Sequence, residues 1–353
     1  MKEETQLKLS DFEYDLPNEL IARYPTERRQ DSRLMVVHRK TGIIEDRRFI
    51  DLPEYLRSGD VMVMNNTRVI PARLIGRRIR TGAEVEVFLL RELSREGESV
   101  DWEVLARPAK KVLSGEDYSF GESLTASVLE ELPDGMRRMR LTPHGTSFEL
   151  AIEAVGHVPL PPYLGREDEA LDRERYQTVF AEVPGAVAAP TAALHFTPEL
   201  LSKISESGVE IGHVLLHTGL GTFRPVEVDA IRDHKMHAEY FEVSPALRDR
   251  VNLAKREKRR VIAVGTTTVR TLESASATSG ELESVNGETE IFIYPPYKFK
   301  IPDAMLTNFH MPRSTLLMMI SAFASRELIL HAYRHAVAER YRFFSYGDSM
   351  LIL

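Results

Sequence analysis

Five of the eleven histidines fall between residues 195 and 237, and four of them, His195, His217, His234 and His237, with Glu239 just beyond, are the candidates for chemistry. Imidazole titrates near neutral pH, so these rings are candidates for catalytic proton transfer. The spacing in His234-Lys235-Met236-His237 would place two imidazoles on one helical face, and Glu239 could orient a ring or raise its pKa. The same residue types also suit a metal, so a metallohydrolase built on His217, His234, His237 and Glu239 competes with acid–base catalysis. Each ring could equally be a satisfied structural group.

Other polar clusters sit where apolar strand candidates end. Residues 61–64 run into Asn65-Asn66-Thr67-Arg68, and 209–216 run into His217-Thr218-Gly219-Leu220-Gly221-Thr222. Residues 261–264 run into Gly265-Thr266-Thr267-Thr268, and 304–307 into Asn308-Phe309-His310. Ligands of α/β sheets bind at the carboxyl ends of strands, so these four ends predict one site assembled from loops. Its expected substrate-binding residues are Asn66, Arg68, Gly219, Gly221, Thr222, Gly265, Thr266, Thr267, Asn308 and His310. The run P-G-A-V-A-A-P-T-A-A at 184–193 has little side-chain bulk and adds Thr191. Such a run admits a planar ligand close to the backbone, or packs a strand tightly on a helix. Gly265 and the threonines either cap a helix or offer amides to an anion. Gly219-Leu220-Gly221 lacks the third glycine of a dinucleotide or methyltransferase loop.

The elements that must hold these groups follow from hydrophobic spacing. From about residue 190 helices and strands alternate. Thr197 and Pro198 open a helix that stops before Gly208, and a strand over 209–216 follows. Ser244 opens a helix over 245–258; then come a strand over 261–264 and a helix from near Val269. Strands over 290–294 and 304–307, and helices over 315–324 and 326–340, complete the chain. Residues 70–155 differ. Alternating segments at 83–90, 101–106 and 137–141 are separated by turn signals such as Pro133-Asp134-Gly135. This predicts a large discontinuous α/β domain, residues 1–69 and 156–353, carrying the active site. A small antiparallel β-barrel-like domain, residues 70–155, is inserted in it.

A chain of 353 residues is long enough for two domains. It contains no cysteine, which excludes disulfides, thiolate nucleophiles and iron–sulfur clusters. The N-terminal residues carry no apolar secretion segment, and the longest apolar stretch, 316–324, is too short for a membrane span. A cytoplasmic protein is expected. Net charge is −7, so nucleic-acid contact would need local basic patches. The candidates are Arg77, Arg78 and Arg80; Lys110 and Lys111; Arg137, Arg138 and Arg140; and the run 255–260. Each is also readable as solvated surface.

Several phrases then carry a resemblance. They include M-N-N-T-R-V-I-P-A-R-L (64–74), L-P-P-Y (160–163), R-Y-Q-T-V-F-A (175–181) and G-A-V-A-A-P-T-A-A-L-H-F-T (185–197). Further along come H-T-G-L-G-T-F-R-P-V (217–226), H-K-M-H-A-E (234–239), V-G-T-T-T-V-R-T-L-E-S (264–274), T-N-F-H-M-P-R-S-T-L (307–316) and Y-R-F-F-S-Y-G-D (341–348). In this order they closely resemble the S-adenosylmethionine:tRNA ribosyltransferase-isomerase family over nearly the whole length, most weakly through the β insert. The resemblance implies queuosine biosynthesis. The ribosyl group of S-adenosylmethionine is transferred to the aminomethyl group of 7-aminomethyl-7-deazaguanine at the tRNA wobble position. The products are epoxyqueuosine-tRNA, adenine and methionine. It implies two substrates, S-adenosylmethionine and tRNA, with the former consumed rather than acting as a cofactor. No metal is expected, and a monomer is expected. A tRNA-binding module without activity is the non-enzymatic alternative.

Overall fold

Four apolar runs become parallel neighbours in a computed structural model that describes residues 7–219, 226, 228–283 and 286–353. Strands Glu210–Leu216, Val61–Asn65, Val261–Val264 and Ala304–Asn308 lie side by side in that order. The last three are buried along their whole length, which is why they read as continuous apolar segments. Antiparallel strands Glu239–Val243 and Asn286–Thr289 extend one side, and Ser349–Ile352, Arg33–Val37 and Ile44–Arg48 the other, making nine strands.

Strand alternation sends successive side chains to opposite faces. Val61 and Val63 join a core with Leu247, Val251, Val269, Leu272, Leu317 and Tyr333 from the helices on one face. Met62 and Met64 join Phe49, Phe196, Leu200 and Ile204 on the other. Helices therefore cover both faces. Their starts follow sequence rules: Thr197, Ser244, Ser314 and Ser325 each accept a hydrogen bond from the backbone three residues on.

The inserted segment closes into a barrel. Strands Arg73–Arg78, Glu84–Glu96, Ser99–Arg107, Met136–Pro143, Leu124–Glu131 and Asp117–Phe120 pair antiparallel in that order, and the last pairs back with the first. Trp102, Phe120, Met139 and Leu141 fill its interior, and helix Phe148–Val155 packs Phe148, Ala151 and Ile152 against it. The expected fold class, a large α/β unit with an inserted antiparallel β-barrel, is what forms.

Three local expectations change. The helix after Val264 begins at Thr266, not near Val269, because Gly265 turns the chain at φ +88° immediately after the strand. Residues 290–294 are irregular, and the strand is Asn286–Thr289 instead. Its partner strand begins at Glu239, opposite Thr289, so the ladder ends there. Residues 234–238 form no helix; only a short turn, Ile231–Asp233, precedes them. Among the described residues no single helix is long and apolar enough to cross a membrane.

Candidate active site

Because the four central strands are parallel, their carboxyl ends share one edge. A cavity of ≈ 90 Å³ opens there. Thr191, Gly265, Thr266, Thr267, Asn308 and His310 from the expected set line it, beside Tyr163, Tyr176, Ala188, Thr218, Phe309, Met311 and Phe344. Asn66 and Arg68 lie outside this lining: the Asn66 amide donates to Glu182 (3.1 Å), and Arg68 is exposed. Gly219 follows Thr218 and is held by its backbone. Gly221 and Thr222 lie outside the described residues.

The histidines occupy different environments. His195 is buried, with Nδ1 2.8 Å from Ser32 Oγ and Nε2 3.4 Å from Asn308 Nδ2. Asn308 Nδ2 is a donor, so Nε2 accepts and Nδ1–H donates to Ser32. Asn308 Oδ1 in turn accepts from Thr191 Oγ1 at 2.8 Å. His195 thus fixes Asn308, which fixes Thr191, across the cavity wall. Burial, reinforced by the nearby charges of Arg29 and Arg342, pushes the His195 pKa down to about 3. His310 is buried too, 2.8 Å from Thr307 Oγ1, and burial likewise pushes it to about 3. Both rings are neutral at physiological pH.

His217 is only partly buried. Its Nδ1 is 2.9 Å from Thr67 Oγ1, and its ring lies so close to Gly185 that a Cβ there would come within 2.8 Å. The small-residue run therefore accommodates a protein imidazole at Gly185, while Ala188, Ala189, Pro190, Thr191 and Ala192 line the cavity. Burial lowers the His217 pKa against a smaller upward pull from Glu242. His234 stacks edge-on against Phe292 at 5.2 Å, and burial, then His237, lowers its pKa. His237 is exposed. Glu239, expected to orient an imidazole, accepts from the Gly219 amide (3.1 Å) and from buried Arg270. Among the described residues no three His, Asp or Glu side chains gather as a metal-binding set.

A family described as queuosine biosynthesis protein matches residues 9–352. The Desulfitobacterium hafniense S-adenosylmethionine:tRNA ribosyltransferase-isomerase is 52% identical over 348 residues, covering 98% of this chain and 100% of that protein. The chain belongs to this queuosine biosynthesis family. The Moorella thermoacetica enzyme of the same name is 51% identical over 348 residues, again 98% of this chain and 100% of its own. The crystal structure of S-adenosylmethionine tRNA ribosyltransferase from Thermotoga maritima is 40% identical, covers 97% of this chain and 100% of its own, and superposes with a TM-score of 0.55.

For a family whose named members act on tRNA, the basic patches matter. Arg137 is buried and donates to the carbonyls of Val112, Leu132, Met136 and Ala109, so it is structural. Arg138 and Arg140 pair with Asp101. In the 255–260 run, Lys255, Arg256, Arg259 and Arg260 pair with Asp303, Glu281, Glu210 and Asp60. Arg80 pairs with Glu116, and Arg78 donates to the Lys111 carbonyl. Arg77, Lys110 and Lys111 are exposed and form no ion pair among the described residues.

Sequence reading did not select Tyr163, Tyr176, Thr218 or Arg270 as site residues. Tyr163 and Tyr176 do lie within two of the family phrases, L-P-P-Y and R-Y-Q-T-V-F-A, which was the available signal.

Proposed function

We propose that this chain transfers and isomerises the ribosyl moiety of S-adenosylmethionine onto the aminomethyl group of 7-aminomethyl-7-deazaguanine in tRNA, yielding epoxyqueuosine-tRNA, adenine and methionine. The observation that carries this reading is full-length identity of about half the residues to enzymes named for that chemistry. The modified base occupies the wobble position, S-adenosylmethionine is consumed, and no further cofactor takes part. The protein works as a cytoplasmic monomer.

The chemistry is polar. A base removes a proton from the carbon next to the sulfonium, a neutral amine attacks the ribosyl group, and adenine and methionine depart. His217 suits the base. In the tautomer with Nδ1–H donating to Thr67 Oγ1, Nε2 presents its lone pair, and a lowered pKa keeps the ring neutral. Once protonated, that imidazolium is an acid available to the departing adenine. His234 and His237 are further proton carriers. His195, His310 and Asn308 position the cavity wall, and Glu239 holds the Gly219 amide. Thr191, Gly265, Thr266 and Thr267 bind substrate within the cavity, and Asn66 and Arg68 outside its lining; Gly221 and Thr222 are expected to bind substrate too.

The test is adenine release from S-adenosylmethionine. We expect release only with tRNA carrying the aminomethyl base, at a rate a chelator leaves unchanged. Release without that tRNA, or activity lost to chelator and restored by zinc, overturns the reading.

A further inference from the structure

Among the described residues, Tyr176 Oη in the cavity wall has no hydrogen-bond partner, and neither do four buried polar atoms at this edge of the sheet: Thr218 Oγ1, Thr267 Oγ1, and Nε and Nη2 of Arg270. The four belong to one chain of contacts. Thr267 and Arg270 are three residues apart on helix Thr266–Ser274, hence neighbours on one face. Arg270 donates through Nη1 to Glu239, whose other oxygen accepts the amide of Gly219, the residue after Thr218. Both threonines line the cavity. Folded proteins leave few such groups unsatisfied, so four in one place need a cause.

The identity of the free nitrogens supplies it. Nε and Nη2 share one edge of the guanidinium and direct two N–H bonds side by side, the arrangement that meets both oxygens of a carboxylate. Glu239 holds only the remaining nitrogen, Nη1. Arg270 is 4% exposed and Glu239 7%, so the fork is held in place rather than free to seek solvent.

Charge and access decide between anions. The Arg270–Glu239 pair is neutral as a unit, so the arriving group is compensated by the helix start at Thr266 and by the threonine hydroxyls. That suits one negative charge better than two. A phosphodiester within a polynucleotide carries one charge but brings a flanking sugar on either side of it. A terminal carboxylate enters end-on.

We propose that Arg270, with Thr218 and Thr267, receives the α-carboxylate of the methionyl group of S-adenosylmethionine. This rests on the proposed function for the identity of the ligand. It fixes the methionyl end of the substrate at the carboxyl edge of the sheet and leaves the sulfonium and ribose farther out from Arg270. Arg270 is then a binding residue for substrate, joined by Glu239 to the Gly219 amide beside Thr218.

The test compares S-adenosylmethionine with its decarboxylated analogue, which lacks only the carboxylate, by equilibrium binding to the full-length protein. Wild type is expected to prefer S-adenosylmethionine by about 10–100-fold, the range of hydrogen bonds to a charged group. Arg270→Lys and Thr267→Ala are expected to shrink that preference toward unity while leaving affinity for the analogue nearly unchanged. Should Arg270→Lys fail to fold, the wild-type preference and Thr267→Ala still decide. Equal binding of the two compounds by wild type, or a preference that survives in both variants, overturns the assignment. Failure of wild type to bind either compound overturns the proposed function instead.

Discussion

Gly185→Ala is the sharpest probe of His217. A Cβ at Gly185 would lie 2.8 Å from Cε1, 2.9 Å from Nε2 and 3.1 Å from Nδ1 of the ring. To regain an ordinary contact the imidazole must retreat by about 0.6 Å. Directed away from Thr67, that shift takes the 2.9 Å hydrogen bond past useful length. Misplacing a reacting group by ~1 Å can cost ~10²-fold in rate, so the expected loss in the chemical step is about 10–100-fold. Gly185 also sits at φ +143°, where alanine is strained by about 1–3 kcal/mol, so some stability is lost as well. The assay is single-turnover adenine release at saturating S-adenosylmethionine, with Tm and substrate affinity measured in parallel. His217→Gln should be at least as impaired, and the double variant no worse than His217→Gln alone, because both act through one ring. A folded Gly185→Ala protein with a normal rate, or losses that simply add, would refute the assignment of His217 as a proton carrier.

Two further outcomes follow from charge. His195 and His310 are held near pH 3 in the fold, whereas an unfolded chain protonates both below about 6.5. The unfolded state then binds more protons, so stability is full above pH 6.5 and falls as pH drops toward 3; at pH 5 the two together cost about 4 kcal/mol. Urea unfolding at pH 7.5 and 5.0 should show this, with a shallower dependence in His195→Gln and His310→Asn; identical dependence in all three proteins would contradict it. For tRNA, Arg77→Glu, Lys110→Glu and Lys111→Glu combined should weaken binding and reduce the salt slope by roughly 2–3, while neutralising Lys255 and Arg256, already ion-paired, should do little. An unchanged slope in the first variant would remove the barrel from the tRNA surface.

The parallel core was legible because burial on both faces leaves unbroken apolar runs, as in Val61–Asn65 and Val261–Val264. The barrel was legible by alternation, as in Met136–Pro143. Asn286–Thr289 was not: its residues, Asn-Gly-Glu-Thr, have neither pattern, and only its partner Glu239–Val243 makes it a strand. The rule that sites gather at strand ends found Gly265, Asn308 and His310 in the cavity wall, and the small-residue run found Thr191. It could not find Tyr163 or Tyr176, since aromatic residues in loops look like packing. Nor could it find Arg270, because a cation inside a helix looks like surface. Thr191 and Asn308, hydrogen-bonded in the fold, stand 117 residues apart in the chain.

The protonation of the histidines shows where sequence proximity misleads. Glu239 lies two residues from His237 and five from His234, which suggests carboxylate–imidazole pairing and raised pKa values. In the fold the chain between them is irregular, and Glu239 turns to Arg270 and the Gly219 amide. What sets the rings is depth: His195, His217, His234 and His310 all shift downward, with burial the largest cause each time. A site resting on neutral imidazoles begins by taking a proton. The first proton of the proposed reaction lies on the carbon beside the sulfonium, whose positive charge acidifies it, and a protonated ring would have nothing to accept it with. On the proposed function, burying the histidines, rather than pairing them with carboxylates, has the site act as a base first, and as an acid only after the substrate has surrendered its proton, when adenine is ready to leave.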